Sequence, residues 1–174
     1  MFAGKTEHTI AILRREADAG RRVLAIKHCI DDRYDADHLV THRGDRFEAV
    51  RARVADDIPA LCESADLVAI DEGHFFKQAI VPVVAALLAS GIDVLVAGIS
   101  HDAWGRPFEP MPELAAMADD EVCLQAPCRV CGQPSPFTQR MVPVDSEHMV
   151  GGLDEYEPRC QDHFVPHPSP PEVR

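Results

Sequence analysis

The sequence predicts an α/β fold, a parallel sheet flanked by helices, followed by a small cysteine-bearing C-terminal module. Three observations predict it. Short continuous apolar runs at residues 23–26, 67–70 and 94–97 read as strands buried on both faces. Segments with helical apolar spacing alternate with them, the pattern of a sheet covered on both sides. From Pro127 the texture changes to prolines, glycines and clustered cysteines with little periodicity.

Each element follows from its local chemistry. "TEHTIAILRREADAG" places Ile10, Leu13 and Ala17 at helical spacing, with Gly20 as the stop. "VLAI" then reads as the first buried strand, and residues 31–50, polar and turn-rich, as a long connection. "VADDIPALCESA" suits a short helix, and "DLVAIDEGHFF" a strand ending in two acids and a glycine. "FKQAIVPVVAALLASG" is a helix stopped by Gly91, with Pro82 kinking or restarting its first turn. "IDVLVAGI" is the third strand, "PMPELAAMADD" a short helix and "EVCLQA" a last strand. The expected boundaries are 1–125 for the α/β domain, 126–165 for the second module and 166–174 for a disordered Pro-rich tail.

Composition narrows the function. A chain of 174 residues can bury roughly 70% of its unfolded surface, so it needs no disulfide framework. Its net charge of −12, from 29 acidic and 17 basic residues, disfavours nucleic acid as a partner. No apolar run is long enough to span a membrane. Lys5, Glu7 and Arg14 interrupt any leader-like apolar stretch. A cytoplasmic protein is expected, its six cysteines reduced or metal-bound.

Ligands of parallel α/β sheets sit at the carboxyl ends of the strands. Polar residues follow each run there: Asp31-Asp32-Arg33, Asp71-Glu72 and Ser100-His101-Asp102. Gly4-Lys5-Thr6, immediately before the first helix, is half of a phosphate-binding loop. Amides at that helix start would face a phosphate, Lys5 would reach the terminal phosphates and Thr6 would bind Mg²⁺. The alternative is a frayed terminus. Asp71 occupies the strand-end position that holds Mg²⁺ through water, and Glu72 beside it suits a general base; the bland reading is two solvated acids. His74 is a pocket group or a loop residue.

Cys128-x-x-Cys131 and Cys160-x-x-His163 form two knuckles. Zinc takes four tetrahedral N/S ligands, and this spacing lets both members of a knuckle face one ion. Four protein ligands close the site, so the ion would be structural. Two buried cysteines and a surface histidine are the alternative. Cys29, Cys62 and Cys123 read as core residues.

With these pieces in order the chain resembles the thymidine kinases of the cellular, zinc-containing type (type II). "MFAGKT", "DDRY", "IDEGHFF", "RPFEPMPEL", "CRVC", "TQR", "VGGLDEYEPRC" and the final Cys-x-x-His carry the resemblance, which covers residues 1–164. It implies a P-loop NTPase-like (RecA-like) domain with a zinc-binding lasso domain. It also implies an ATP:thymidine 5′-phosphotransferase making dTMP, with ATP, Mg²⁺ and structural Zn²⁺, assembled as a homotetramer. Gly4, Lys5, Thr6, Asp31, Arg33, Asp71 and His74 would then belong to the ATP and Mg²⁺ site, and Glu72 would be the catalytic base. Phe75, Phe108, Thr138, Met149, Val150, Gly151 and Tyr156 would bind the nucleoside, the middle ones through a lasso loop.

Some positions depart from the family pattern. His74 stands where Gln is usual, and "ISHDAW" puts Ser100 and Ala103 in place of an Asp and a Phe. Phosphoryl transfer is untouched by these changes, while base specificity is opened, with Trp104 a candidate to refill the space. The family carries a strand and a Gly-Pro ahead of "MFAGKT". The expectation is therefore a polypeptide that starts further upstream, with a degenerate relative as the alternative. Without that strand, neighbouring sheet groups would stand unpaired at about 1–3 kcal/mol each. A non-enzymatic zinc-ribbon module binding nucleic acid has only the knuckles in its favour.

Overall fold

Helix α1 (Lys5–Asp18) opens the described structure and ends at Ala19 and Gly20, the glycine at φ 86°. Strand β1 (Val23–His28) follows. A hairpin of β2 (His38–Val40) and β3 (Arg46–Glu48) leads into β4 (Val50–Ala52), then a 3-10 turn and the single-turn helix α2 (Ile58–Leu61). Next come β5 (Leu67–Asp71), a 3-10 segment (Gly73–Ala79), α3 (Ile80–Ala89), β6 (Asp93–Val96) and α4 (Met111–Ala116). The C-terminal module contains β7 (Ala126–Pro127), β8 (Pro134–Ser135), β9 (Phe137–Arg140) and β10 (Tyr156–Arg159). This computed structural model describes residues 2–31, 37–142 and 154–166.

The main sheet has the order β4-β1-β5-β6, and every pairing in it is parallel. The central pair β1–β5 is in register from Val23 opposite Leu67 to Lys27 opposite Asp71. All five residues of β5 are buried, as a strand covered on both faces requires. Alternation along the strand sends Leu67 and Ala69 to one face, where they meet Ala25, Ile10 and Leu13 of α1. Val68 and Ile70 point the other way, into a larger core with Ile26, Ile58, Phe76, Ile80, Val84, Leu87 and Leu114. The α/β class and the parallel sheet flanked by helices are thus as the sequence predicts.

Several local expectations need correction. Residues 31–50 are not only a connection, because they supply the β2–β3 hairpin and Val50, the first residue of the sheet's fourth strand. "EVCLQA" forms no strand over residues 121–125; only Ala126 enters a ladder, with Ser135. A strand needs a paired edge, and among the described residues β6 pairs with β5 alone, while Val122 and Leu124 are exposed. Pro82 lies in the first turn of α3, the restart that was one of its two expected roles, but the single helix expected from Phe76 is divided earlier, at Lys77 with φ 54°. Of the three cysteines expected in the core, Cys62 is fully buried, Cys29 half-buried and Cys123 exposed. Ala17, expected on the buried face of α1, is exposed. Among the described residues no helix is long and apolar enough to cross a membrane.

Ile70 is fully buried at the centre of the larger core. Ile70→Ala is expected to lower unfolding free energy by about 2–5 kcal/mol in urea titrations, through lost contacts and the cavity left behind.

Candidate functional site

The carboxyl ends of β1 and β5 and the start of α1 enclose an open cleft. Gly4 precedes α1 at φ 79°, a left-handed conformation open to glycine at little cost. The first N–H groups of a helix have no intrahelical acceptor and carry its positive end. Residues 2–7 line the cleft, so that end of α1, with Lys5 and Thr6, belongs to its wall. Asp31, the hairpin segment 39–42, Asp71 and Glu72 line it as well.

Asp71 ends β5 and is 6% exposed. Burial, then the neighbouring Glu72 carboxylate, push its pKa up to about 7; the Lys5 ammonium pulls the other way, Asp31 adds to the rise, and the Glu72 amide opposes it. Its Oδ1 is buried and meets no hydrogen-bond donor. Four carboxylates (Glu7, Asp31, Asp71, Glu72) and two ammonium groups (Lys5, Lys27) line one cleft. Such a wall suits an anion that arrives with a divalent cation, and the orphaned Asp71 oxygen is where a hard cation with oxygen ligands fits. The Thr6 hydroxyl, which lines the same cleft, is a second oxygen of the same kind.

Glu72 is held by strain and packing. It is a non-glycine residue at φ 49°, ψ 46°. The next residue must be glycine, since a Cβ on Gly73 would lie 2.5 Å from Val96 Cγ1. The Gly73 amide donates to the Ala97 carbonyl at 2.8 Å, tying the turn to the end of β6. The carboxylate is therefore carried on a fixed corner of the sheet, a short reach from Asp71.

His74, 3% exposed, does not line the cleft. Its Nδ1 lies 3.6 Å from Glu72 Oε2, beyond hydrogen-bond length. Its ring packs between Phe75 and Phe108, with centroids 4.3 and 4.8 Å away. Phe75 and Phe108 are thus brought together behind Glu72. Trp104 is 9% exposed under the Arg106 guanidinium and is absent from the cleft wall. Asp102 organises that loop, accepting from the amides of Trp104 and Arg106 and from the Arg106 side chain.

In the C-terminal module, one ligand atom each of Cys128, Cys131, Cys160 and His163 lies within 4.8 Å of the others. Cys131 and Cys160 sulfurs are 3.6 Å apart, and His163 Nδ1 is 3.2 Å from Cys160 and 3.9 Å from Cys128. A zinc–sulfur bond of about 2.3 Å gives a tetrahedral edge of about 3.8 Å, so the four residues fit a zinc site. Burial raises the Cys128 thiol, but the amides of Cys160, Cys131 and Val130 aimed at its sulfur outweigh that and hold it down at about 6. Thr138 is buried in β9, paired with Pro158 of β10, and the Arg140 guanidinium lies 5.8 Å from the Tyr156 ring.

The structure therefore gathers Gly4, Lys5, Thr6, Asp31, Asp71 and Glu72 in one cleft, and His74, Phe75 and Phe108 in an aromatic cluster beside it. Arg33, Met149, Val150 and Gly151 lie outside the described residues. Sequence reading missed Lys27, Thr41 and His42 on the cleft wall. The one signal for Lys27 was a cation directly after an apolar run; nothing marked Thr41 or His42.

A family model described as thymidine kinase matches residues 1–164, and the chain belongs to that family.

Two outcomes follow from this geometry. Asp71 holds its proton more tightly in the folded chain than its ordinary value of 3.8, so its contribution to stability is full below that value and is lost as pH rises through about 7. In denaturant titrations at about pH 5 and about pH 8, Asp71→Asn is expected to gain on the wild type at the higher pH; parallel behaviour would remove Asp71 as the cause. For the Cys/His cluster, native mass spectrometry should find zinc on the wild type and none on Cys160→Ser, with proton release on zinc uptake.

Proposed function

We propose that this member of the thymidine kinase family transfers the γ-phosphoryl group of ATP to the 5′-hydroxyl of thymidine, making dTMP for nucleotide salvage. Nucleoside phosphorylation of the thymidine-kinase kind is what the family supports. The observation that carries the finer reading is the convergence of Lys5 and Thr6, at the positive end of α1, with Asp71 and Glu72 across a single cleft.

Phosphoryl transfer needs positioned phosphates, charge neutralisation and a base for the attacking hydroxyl. The amides at the start of α1 and the Lys5 ammonium would hold the phosphate oxygens. Thr6 and Asp71 would hold Mg²⁺, which supplies the positive charge that offsets the transferring phosphoryl group. Glu72, fixed on its strained corner, would take the proton of the 5′-hydroxyl as that oxygen attacks. Asp31 and Arg33 would approach the phosphates from β1. Phe75 and Phe108, with Thr138, Tyr156 and the segment carrying Met149, Val150 and Gly151, would enclose the nucleoside. The zinc knuckles, flanking that segment in sequence, would anchor both its ends. The assembly is proposed to be a cytoplasmic homotetramer acting on a small-molecule nucleoside.

A second reading, a deoxynucleoside kinase with another base preference, is favoured by one feature: Ser100 and Ala103 remove an acid and a ring that the family usually carries. A panel of thymidine, deoxyuridine, deoxycytidine and deoxypurines with ATP and Mg²⁺ decides between them. Thymidine is expected to be phosphorylated fastest; equal rates across the panel would overturn the first reading. Glu72→Gln is expected to lower kcat by about 10²–10⁴ while ATP binding survives, measured by coupled ADP release and by calorimetry.

A further inference from the structure

Glu72 and His74 stand two residues apart on one tight turn. The Phe75 amide donates to the Glu72 carbonyl at 3.0 Å, closing that turn at the start of the 3-10 segment. The left-handed backbone of Glu72 and the lack of room for a Cβ on Gly73 against Val96 fix its course. The two side chains are brought together by it: His74 Nδ1 faces Glu72 Oε2 at 3.6 Å, within ion-pair reach. Both atoms are buried. Glu72 lines the cleft with 13% of its side chain exposed, whereas His74 does not line it. The imidazole therefore reaches the carboxylate from inside the protein. Phe75 and Phe108 pack against that ring and hold it where Nδ1 faces the acid.

We propose that His74 is the positioning residue for Glu72, its Nδ1–H donating to one carboxylate oxygen and so presenting the other to the attacking hydroxyl. The inference rests on the phosphotransferase reading and deepens it. A donor at Oε2 fixes the rotation of the carboxylate and favours its ionised form, the form a base needs. A neutral imidazole with its hydrogen on Nδ1 is sufficient for this. Catalytic contacts are often long without substrate and tighten in the reacting complex, and the 3.6 Å separation closes to hydrogen-bond length by a small shift of the Glu72 side chain. The Nδ1 hydrogen stays on the ring throughout. As the 5′-hydroxyl oxygen attacks phosphorus, its proton passes to Glu72 Oε1, and His74 acts only through that carboxylate.

The test compares wild type, His74→Phe and His74→Gln in steady-state turnover of MgATP with the fastest nucleoside of the panel, alongside thermal melting. Phenylalanine keeps a ring against Phe75 and Phe108 and deletes both nitrogens; glutamine restores an N–H donor without the ring. His74→Phe is expected to lower kcat by about 10–100-fold, with the KM for MgATP within about twofold and the melting temperature not lowered. His74→Gln is expected to recover most of the lost rate. Unchanged kcat in His74→Phe would overturn the proposal. So would a loss that glutamine does not recover, or one that comes with a raised KM for MgATP or a lower melting temperature, because His74 would then serve packing or the phosphates. If His74→Phe fails to fold, His74→Met is read by the same criteria. Nitrogen NMR of histidine-labelled protein tests the contact without turnover. The ring signal missing from His74→Phe is expected to show a proton-bearing Nδ1 that shifts in Glu72→Gln, and a bare Nδ1 would overturn the proposal. Wild type that phosphorylates no nucleoside would overturn the phosphotransferase reading and leave the His74–Glu72 contact to be judged on that signal.

Discussion

Parallel pairing of β1 with β5 determines where every charged group of the cleft can stand. The two strands run from Val23 and Leu67 to Lys27 and Asp71 in one unbroken register. Because both faces of β5 are buried, a slip by one residue would exchange the α1 face with the larger core. Ala25 and Ala69 suit the α1 side, where Ile10 and Leu13 approach; Ile26 and Ile70 suit the other. The register is thus set by side-chain volume. The last pair of that register, Lys27 and Asp71, is carried to the same end and the same face, on the wall of the cleft at the start of α1.

Around that frame the fold invests in rigidity at one corner. Glu72 stands in a left-handed conformation, Gly73 has no room for a Cβ against Val96, and the Gly73 amide is bound to Ala97. Left-handed backbone at a non-glycine residue persists only where the surroundings hold it. Here they do: Val96 of β6 supplies the steric wall and Ala97, just after it, the acceptor. The consequence is electrostatic as well as steric. Burial first, and then the Glu72 carboxylate that cannot relax away from it, make Asp71 hold its proton far above the ordinary range.

Which features were legible in the sequence follows from how local their physics is. Helix α1, β5 and the two knuckles are written in short-range patterns, apolar spacing, a continuous run and x-x spacing, and each stands where expected. Val50, Arg51 and Ala52 form a three-residue strand whose existence depends on the edge of β1, which no local pattern announces. The converse holds for residues 121–125, whose short apolar run suits a strand but which enter no ladder among the described residues. Cys123 failed as a core residue for the same reason. In the site, Gly4, Lys5, Thr6, Asp71 and Glu72 were legible because chain-local motifs carry them. Lys27 was not, since a lysine after an apolar run gains meaning only when the ladder sets it beside Asp71.

The C-terminal module connects to this corner through rings. Phe137 of β9 stacks on Phe164, one residue after the ligand His163, with centroids 4.5 Å apart. Phe164 lies so close to Gly105 that a Cβ there would come within 2.8 Å, and Phe137 also meets His101 at 5.0 Å. Gly105 and His101 belong to the loop after β6 that leads to Phe108, Phe108 packs on His74, and His74 approaches Glu72. Contiguous packing of this kind is not proof of coupling between distant sites. It does fix a steric order: the Cys/His cluster holds Phe164 in place, Phe164 limits the loop, and the loop sets how far Phe108 can retreat from the ring beside Glu72. The Cys/His cluster thereby bears on the shape of the aromatic cluster beside Glu72.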